Sequence, residues 1–310
     1  MMKFNGKSKY DIIIPVFNSE KHIEQCVKSV VMQTYKYWRV VVIDNCSTDN
    51  TLVIIRKLVD PKKLLILSYS NKGVIAGSRN KGIMSSSSDW VCFLDSDDFW
   101  YPNKLDMIDS YTKKYEMISH SMCIIDKDSK IIRKRTSRFM DIFFYNSYLW
   151  LMVRNVHVTS SVTIKRSLLF EMECFDTRQE FIAAEDYDLW LKIVKHNNVK
   201  HLFNVCGSYR SHEGGVSKKI AEHILAINNV LNKNLYDMNI LKRILFYPFV
   251  MSSYYSMVAY RRFIYNGISQ YSVIITSSLK SIVLNPIQIK SYYCIYMSTV
   301  DKARSILDRK

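Results

Sequence analysis

Four short apolar runs punctuate the first hundred residues: Tyr10–Phe17, Arg39–Asp44, Leu64–Tyr69 and Trp90–Leu94. They are apolar at successive rather than alternate positions, which is the pattern of strands covered on both faces. The segments between them have helical spacing. Ile23, Val27, Val30 and Val31 share one face, after a cap expected at Asn18 or Ser19 with Glu20 in the first turn. Asn45–Asn50 is turn and cap chemistry opening a helix near Thr51–Val59, and Asn71-Lys72-Gly73 turns the chain into a helix near Val74–Met84. Ser85–Ser88 is a polar loop. This β-α-β-α-β-α-β order predicts an α/β fold with a mostly parallel sheet and helices on both faces. Three acids that close strands, Asp44, Asp95 and Asp97, are then expected along one sheet edge, where such folds bind ligands.

From Pro102 the alternation changes. A helix is expected to about Tyr115, and then strands over Met117–Asp126 and Lys130–Arg135 around an Asp-Ser turn. Phe139–Arg154 reads as an aromatic helix, Val158–Ile164 as a strand and Ser167–Met172 as a short helix. Leu189, Trp190, Ile193 and Val194 form the buried face of a helix that opens on Glu185-Asp186. Lys200–Tyr209 returns as a strand, and 210–217 is a loop with two glycines. After Lys218 the pattern is helical: Ile220–Leu235, Leu241–Tyr265, Tyr271–Val283 and, past Pro286, Ile289–Leu307. The expected organisation is one domain over 1–217 and a helical, basic and aromatic region over 218–310.

The chain has 310 residues, is 48% hydrophobic and carries a formal charge of +16. That balance favours an anionic partner: substrate phosphates, nucleic acid or an anionic membrane surface. The basic residues are thinly spread and match no binding motif, so no nucleic acid partner is expected. The seven cysteines form no CxxC pair and several sit in apolar runs, as buried reduced thiols do. The first residues lack the apolar core of a signal peptide, and no run long enough to span a bilayer is present. These features point to the cytoplasmic side. The tail either packs as ordinary helices or lies at a membrane surface, with Tyr and Phe at headgroup depth and Lys and Arg toward anionic lipid. Ser252-Ser253 and Ser277-Ser278 interrupt its apolar runs and argue against a span.

Candidate chemistry gathers at the strand ends. Asp95-Ser96-Asp97 gives a D-x-D spacing, in which one carboxylate orients a sugar or ribose hydroxyl and the other binds a divalent cation on a diphosphate. Asp44 is either a turn acceptor or a hydrogen-bond partner for a nucleobase. Arg79 is either a surface arginine or a guanidinium fork aimed at a base or phosphate. Asp186 either serves the helix N-terminus or is a general base, with Glu185 adding negative charge beside it. His212 is either a surface histidine or a metal ligand. Neither GxGxxG nor GxxxxGK[ST] is present.

Laid end to end, Ile14-Pro15-Val16-Phe17-Asn18, Val42-Ile43-Asp44-Asn45-Cys46-Ser47-Thr48-Asp49, Asn71-Lys72-Gly73 with Ser78-Arg79-Asn80-Lys81-Gly82, Phe93-Leu94-Asp95-Ser96-Asp97-Asp98 and Glu185-Asp186-Tyr187-Asp188-Leu189-Trp190 arrive in the order of a known family. The chain resembles the family 2 glycosyltransferases of the GT-A fold, in particular those of bacterial surface polysaccharides such as O-antigen or capsule. The resemblance covers about Tyr10–Ser217. It implies an inverting, metal-dependent transfer from a nucleotide-diphosphate sugar, with UDP the leading nucleotide, to a lipid-linked glycan acceptor at the inner face of the cell membrane. By the same resemblance Pro15, Val16, Phe17, Asn18, Glu20, Asp44 and Arg79 hold the nucleotide, and Asp95 and Ser96 meet ribose or sugar. Asp97 and His212 bind Mn2+ or Mg2+, and Asp186 is the catalytic base. Cys46 and Ser78 depart from the usual Gly or Asp and Ala. A sugar nucleotidyltransferase is the first alternative, but the turn after the first strand, Pro15–Glu20, contains no glycine. A non-catalytic carbohydrate-binding protein is the second, although such a protein would be free to lose Asp97 or Asp186.

Overall fold

The computed structural model describes residues 8–135, 148–211, 220–266 and 270–307. The chain divides into two compact units, Met1–Tyr148 with Val156–Gly215, and Leu149–Asn155 with Val216–Lys310. In chain order the elements are β1 (Tyr10–Val16), α1 (Ile23–Val31), β2 (Trp38–Asp44), α2 (Thr51–Leu58), β3 (Leu64–Ser68), α3 (Ile75–Ser85), β4 (Trp90–Phe93), β5 (Phe99–Trp100), α4 (Lys104–Asp109), β6 (Met117–Ile125) and β7 (Ile131–Arg135). They continue with α5 (Tyr148–Val153), β8 (Thr163–Lys165), α6 (Arg166–Glu171), α7 (Glu185–His196) and β9 (Val199–Arg210). The second unit takes nearly all of α5 and adds α8 (Ile220–Tyr236), α9 (Ile240–Asn266), α10 (Tyr271–Leu284) and α11 (Ile289–Leu307).

The first unit is one sheet in the order β3-β2-β1-β4-β8-β6-β9-β5, with β7 on β6. The strands expected from the β-α repeats, β3, β2, β1 and β4, are all parallel. Beyond them β8 runs antiparallel to both β4 and β6, and β6 pairs parallel with β9. The antiparallel pairs come where the alternation of strands and helices stops.

Strand periodicity assigns the faces. Ile12, Ile14, Val40 and Val42 join Ile23, Val27 and Val30 of α1 and Ile55 of α2 in one core. Ile13 and Phe93 point the other way. There Phe93 meets the rings of Phe175 and Trp190, the latter on α7, and Ile13 lies against Gly82 of α3. A Cβ on Gly82 would come within 2.6 Å of Ile13 Cγ2. Gly82→Ala gains about 1 kcal/mol of helix propensity but overpacks this seam, so a net loss of about 1–2 kcal/mol is expected. Urea unfolding measures it, and an alanine variant as stable as the parent contradicts the contact.

At the edge of the sheet away from the strand-ending acids, buried Asp11 takes the fork of Arg39, with Nε to Oδ1 at 2.9 Å and Nη2 to Oδ2 at 2.8 Å. The backbone N–H groups of Ser87 and Ser88 donate to Asp11 Oδ2. The serine run before β4 thus holds a buried carboxylate. Burial pushes the Asp11 carboxyl up, but the Arg39 fork and these amides hold it below its usual range.

Several expected elements differ. The helix after β1 starts at Ile23, and neither Asn18 nor Ser19 caps it with a side chain. Val158–Ile164 is not one strand: Thr159–Ser161 is a 3-10 turn and only Thr163–Lys165 pairs. The hydroxyls explain this, because Ser161 Oγ donates to the Val158 carbonyl at 2.7 Å and Ser160 Oγ is drawn to the acidic loop. The helix after Pro102 covers Lys104–Asp109. Of the aromatic segment expected over Phe139–Arg154, Tyr148–Val153 is helical and 139–147 lie outside the described residues.

Candidate active site

The register pairs Val16 with Asp44 and Asp44 with Ser68, so β1, β2 and β3 end together. The N–H of Leu94 still bonds the carbonyl of Ile13 on β1, and Asp95 follows at once. Pro15 and Val16 are buried in the strand end, whereas Phe17 is 57% exposed and offers an open aromatic face.

The loops leaving these strands are tied to one another. Asn18, at a positive φ of 45°, donates its N–H to Ser47 Oγ and accepts the N–H of Thr48 on its side-chain oxygen. Glu20 accepts both the N–H and the side-chain amide of Asn50 at 3.1 Å, while its own N–H donates to Asp49. Asp44 Oδ1 accepts the N–H of Ser47 at 3.1 Å. Asn18 and Glu20 therefore clasp the β1 and β2 loops together, and Asp44 braces the β2 loop from within. Cys46 sits exposed in this clasp at φ 61°.

The acidic loop is anchored from three directions. The N–H of Asp95 donates to Ser160 Oγ at 3.0 Å, and Ser96 Oγ lies 2.9 Å from Ser19 Oγ. Asp98 is buried, and its Oδ1 accepts the N–H of Arg210 at 2.8 Å. Burial first, then the charges of Asp97 and Asp95, push the Asp98 carboxyl well up. Arg210 also donates Nε to the carbonyl of Asp97 at 3.1 Å and Nη2 to Gln25 Oε1 at 2.5 Å. Burial, and after it the same crowding of carboxylates, raises the thiol of Cys26 beneath the loop.

Arg79 is the link to α7. It is buried, and its guanidinium donates Nη2 to Asp95 Oδ1 at 2.9 Å and Nη1 to Glu185 Oε1 at 2.7 Å. The expected fork toward a base or phosphate is thus committed to two carboxylates. The reason lies in position: Arg79 is on a buried turn of α3, between the end of β4 and the start of α7. Burial raises the carboxyls of both Asp95 and Glu185 even beside this cation.

Next to Glu185, Asp186 is partly exposed in the first turn of α7. Thr159 Oγ1 donates to its Oδ2 at 2.6 Å, and the N–H of Tyr187 to its Oδ1 at 2.6 Å. Asp188 is buried and pairs with Lys192, which makes it structural. His212 lies outside the described residues.

For a divalent cation the donor set is narrow. Asp95 pairs with Arg79, the buried Asp98 accepts the N–H of Arg210, and Asp97 is, like Asp95, a partly exposed carboxylate of the loop. Among the described residues no cluster of three or more His, Cys, Asp or Glu could enclose a metal. The residues fit a hard cation held by one carboxylate and completed by substrate phosphate oxygens, which is the usual manner of Mg2+.

The model of the family described as Glycosyl transferase family 2 matches residues 11–170. The chain belongs to glycosyl transferase family 2. Among its relatives is the UDP-Glc:alpha-D-GlcNAc-diphosphoundecaprenol beta-1,3-glucosyltransferase WfgD of Escherichia coli, 31% identical over 210 residues, or 66% of this chain and 78% of WfgD. The fold of S. aureus TarS 1-349, solved in complex with UDP-GlcNAc, superposes with a TM-score of 0.63 at 16% identity, over 96% of this chain and 91% of TarS 1-349. The mannosyltransferase PcManGT from Pyrobaculum calidifontis, solved with GDP-Man and Mn2+, gives a TM-score of 0.58 at 15% identity, over 95% and 86% of the two chains. These likenesses show the GT-A fold.

In this family 2 glycosyltransferase several residues that build the candidate site carry no signal in the sequence. Thr159 and Ser160 hold Asp186 and the acidic loop from a segment that reads as strand. Arg210 reads as the start of a loop, yet it bonds the backbone of Asp97 and the side chains of Asp98 and Gln25. Glu185 was visible as a charge beside Asp186, but its pairing with Arg79 across 106 positions was not.

Proposed function

We propose that this glycosyltransferase moves a hexose or N-acetylhexosamine from a nucleotide-diphosphate sugar, with UDP the first candidate, to a hydroxyl of a lipid-linked glycan, inverting the anomeric centre. The observation that carries the reading is the Arg79 bridge. One guanidinium joins Asp95, at the donor end of the sheet, to Glu185, the neighbour of Asp186. A donor-side carboxylate and a candidate base therefore share one rigid frame, which is the proximity a single displacement needs.

The clasped loops carrying Pro15, Val16, Phe17, Asn18, Glu20 and Asp44 receive the nucleoside, with Asp44 as acceptor for the base. Arg79 acts through Asp95, which with Ser96 meets the ribose or sugar. Asp97 would hold Mn2+ or Mg2+, which when bound offsets charge on the leaving diphosphate. His212 is the second candidate ligand. Thr159 and the Tyr187 N–H orient Asp186 through both its oxygens. Asp186 then takes the proton of the acceptor hydroxyl as that oxygen attacks the anomeric carbon opposite the diphosphate. The acidic loop keeps its shape throughout, because Ser160 and Arg210 hold its backbone.

The acceptor follows by likeness to WfgD, whose name gives a GlcNAc-diphosphoundecaprenol acceptor. Work on such an acceptor in surface polysaccharide synthesis suits a protein seated on the cytoplasmic face of an anionic membrane. A panel of nucleotide sugars, offered with a GlcNAc- or GalNAc-diphosphate lipid, tests the reading by nucleoside diphosphate release. Acceptor-dependent release from a UDP-sugar is expected, abolished by excess EDTA and restored by Mn2+ or Mg2+. Undiminished turnover in EDTA would remove the role given to Asp97, and no release from any donor would remove the transferase reading.

A further inference from the structure

The second unit buries serines between its last three helices and leaves large aliphatic side chains exposed at one end. Where α9, α10 and α11 pack, the buried side chains are largely serines: Ser252, Ser278, Ser281 and Ser291 are fully buried, with Ala259, Ile274 and Cys294. Ser252 Oγ donates to the Ser281 carbonyl at 2.9 Å, Ser281 Oγ returns the bond to the Ser252 carbonyl, and Ser291 Oγ reaches Ser281 Oγ at 2.9 Å. A set of large aliphatic side chains is outside. Leu241 is 76% exposed, Val283 81% and Ile287 83%, with Ile240, Ile244 and Leu245 also exposed. Small residues between helices and large apolar ones facing outward are how helices pack when the solvent is lipid.

These exposed residues share one end of the bundle. α9 and α10 are consecutive helices that run antiparallel, and they cross at Ser252 and Ser281. Each step back along α9 from Ser252 moves about 1.5 Å toward the same end as each step forward along α10 from Ser281. Ile240–Leu245 and Val283–Ile287 therefore lie at that end, where α11 also begins beside Ser291. Charge selects the partner. Between Ile240 and Val300 the sequence has six Lys and Arg residues and no Asp or Glu. Lys242 and Arg243 sit within the apolar set itself. One-signed charge opposes a second copy of the chain, and the aliphatic face opposes nucleic acid.

We propose that the end of the helical unit formed by Ile240, Leu241, Ile244, Leu245, Val283 and Ile287 inserts into the headgroup region of an anionic bilayer, with Lys242 and Arg243 on the lipid phosphates. Insertion is shallow. Among the described residues no helix is long and apolar enough to cross a membrane. Pro248 inside α9 has no N–H for the Ile244 carbonyl, which needs water or a headgroup nearby. This deepens the membrane part of the proposed function, and its test needs no donor and no turnover, so either can fail without the other.

The test is sedimentation of the full chain with vesicles of phosphatidylcholine alone or mixed with phosphatidylglycerol. Binding is expected on the anionic vesicles and to weaken with salt. K242E/R243E is expected to lose about tenfold or more of that affinity, and L241E/L245E a similar amount. The substituted side chains are exposed or half-buried, so the fold survives. A second measurement is independent of the acidic variants: in a Cys46→Ser background, Leu241→Cys carrying an environment-sensitive dye shifts to the blue on anionic vesicles, the other cysteines being buried. Unchanged sedimentation of both variants, or no spectral shift, overturns the proposal. So does a parent dimer in sedimentation velocity that L241E/L245E splits, which would make the patch a self-interface.

Discussion

Asp186→Asn is expected to lower turnover by about 10²- to 10⁴-fold, the range for removing a positioned general base. Donor affinity, measured by calorimetry, is expected to stay within about twofold, since no donor contact is assigned to this residue. The amide keeps the size of the carboxylate and its one oxygen can still accept either the Thr159 hydroxyl or the Tyr187 N–H, each now at 2.6 Å. What it cannot do is take a proton. The variant separates base chemistry from packing because Asp186 is partly exposed and lies at the start of α7. Near-parental turnover would take the base role away from Asp186. A matching loss of donor affinity would move the residue to the donor side.

The second large effect is on stability. Arg79→Met leaves Glu185 buried and Asp95 half-buried with their shared cation gone. Breaking a buried pair by removing one partner costs about 3–5 kcal/mol. For a unit of this size that lowers the thermal midpoint by roughly 10 °C. The loss depends on pH in a definite direction. Burial already raises the Glu185 carboxyl, and without Arg79 it rises further. The folded variant then holds a proton that the unfolded chain releases above its ordinary carboxyl pKa of about 4.3. Stability of the variant consequently falls as pH rises from about 4 toward neutrality. The deficit against the parent is expected to be small near pH 4 and full at pH 7. A deficit equal at both would mean that Arg79 matters by packing on Phe175, whose ring centroid lies 5.6 Å away, and not by charge.

The parallel half of the sheet was legible because its three inner strands, β2, β1 and β4, are buried on both faces. Ile12–Ile14, Val40–Ile43 and Trp90–Phe93 can be nothing but apolar throughout, and an unbroken apolar run is easily read. The acids were legible for a related reason. A carboxylate at the end of such a run has no local use strong enough to explain three of them in four positions. The fixed partners were not legible. Arg79 and Glu185, Thr159 and Asp186, and Arg210 and Asp98 are each joined across 27 to 112 positions, and no local pattern encodes such pairs. The clasp of Asn18 and Glu20 onto the β2 loop replaced the helix cap expected there, because side-chain bonds to a neighbouring loop outcompeted the local ones. In the helical unit, Ser252 and Ser278 looked like interruptions of apolar runs, and they are instead buried where the helices pack.

The Arg79 bridge also bears on how activities can be recombined. A crossover between related sequences placed after β7 and before β8 divides the bridge. Such a chimera takes Arg79 and Asp95 from one parent and Glu185 from the other. The two parts are therefore expected to graft onto each other only when both parents keep the arginine and the glutamate.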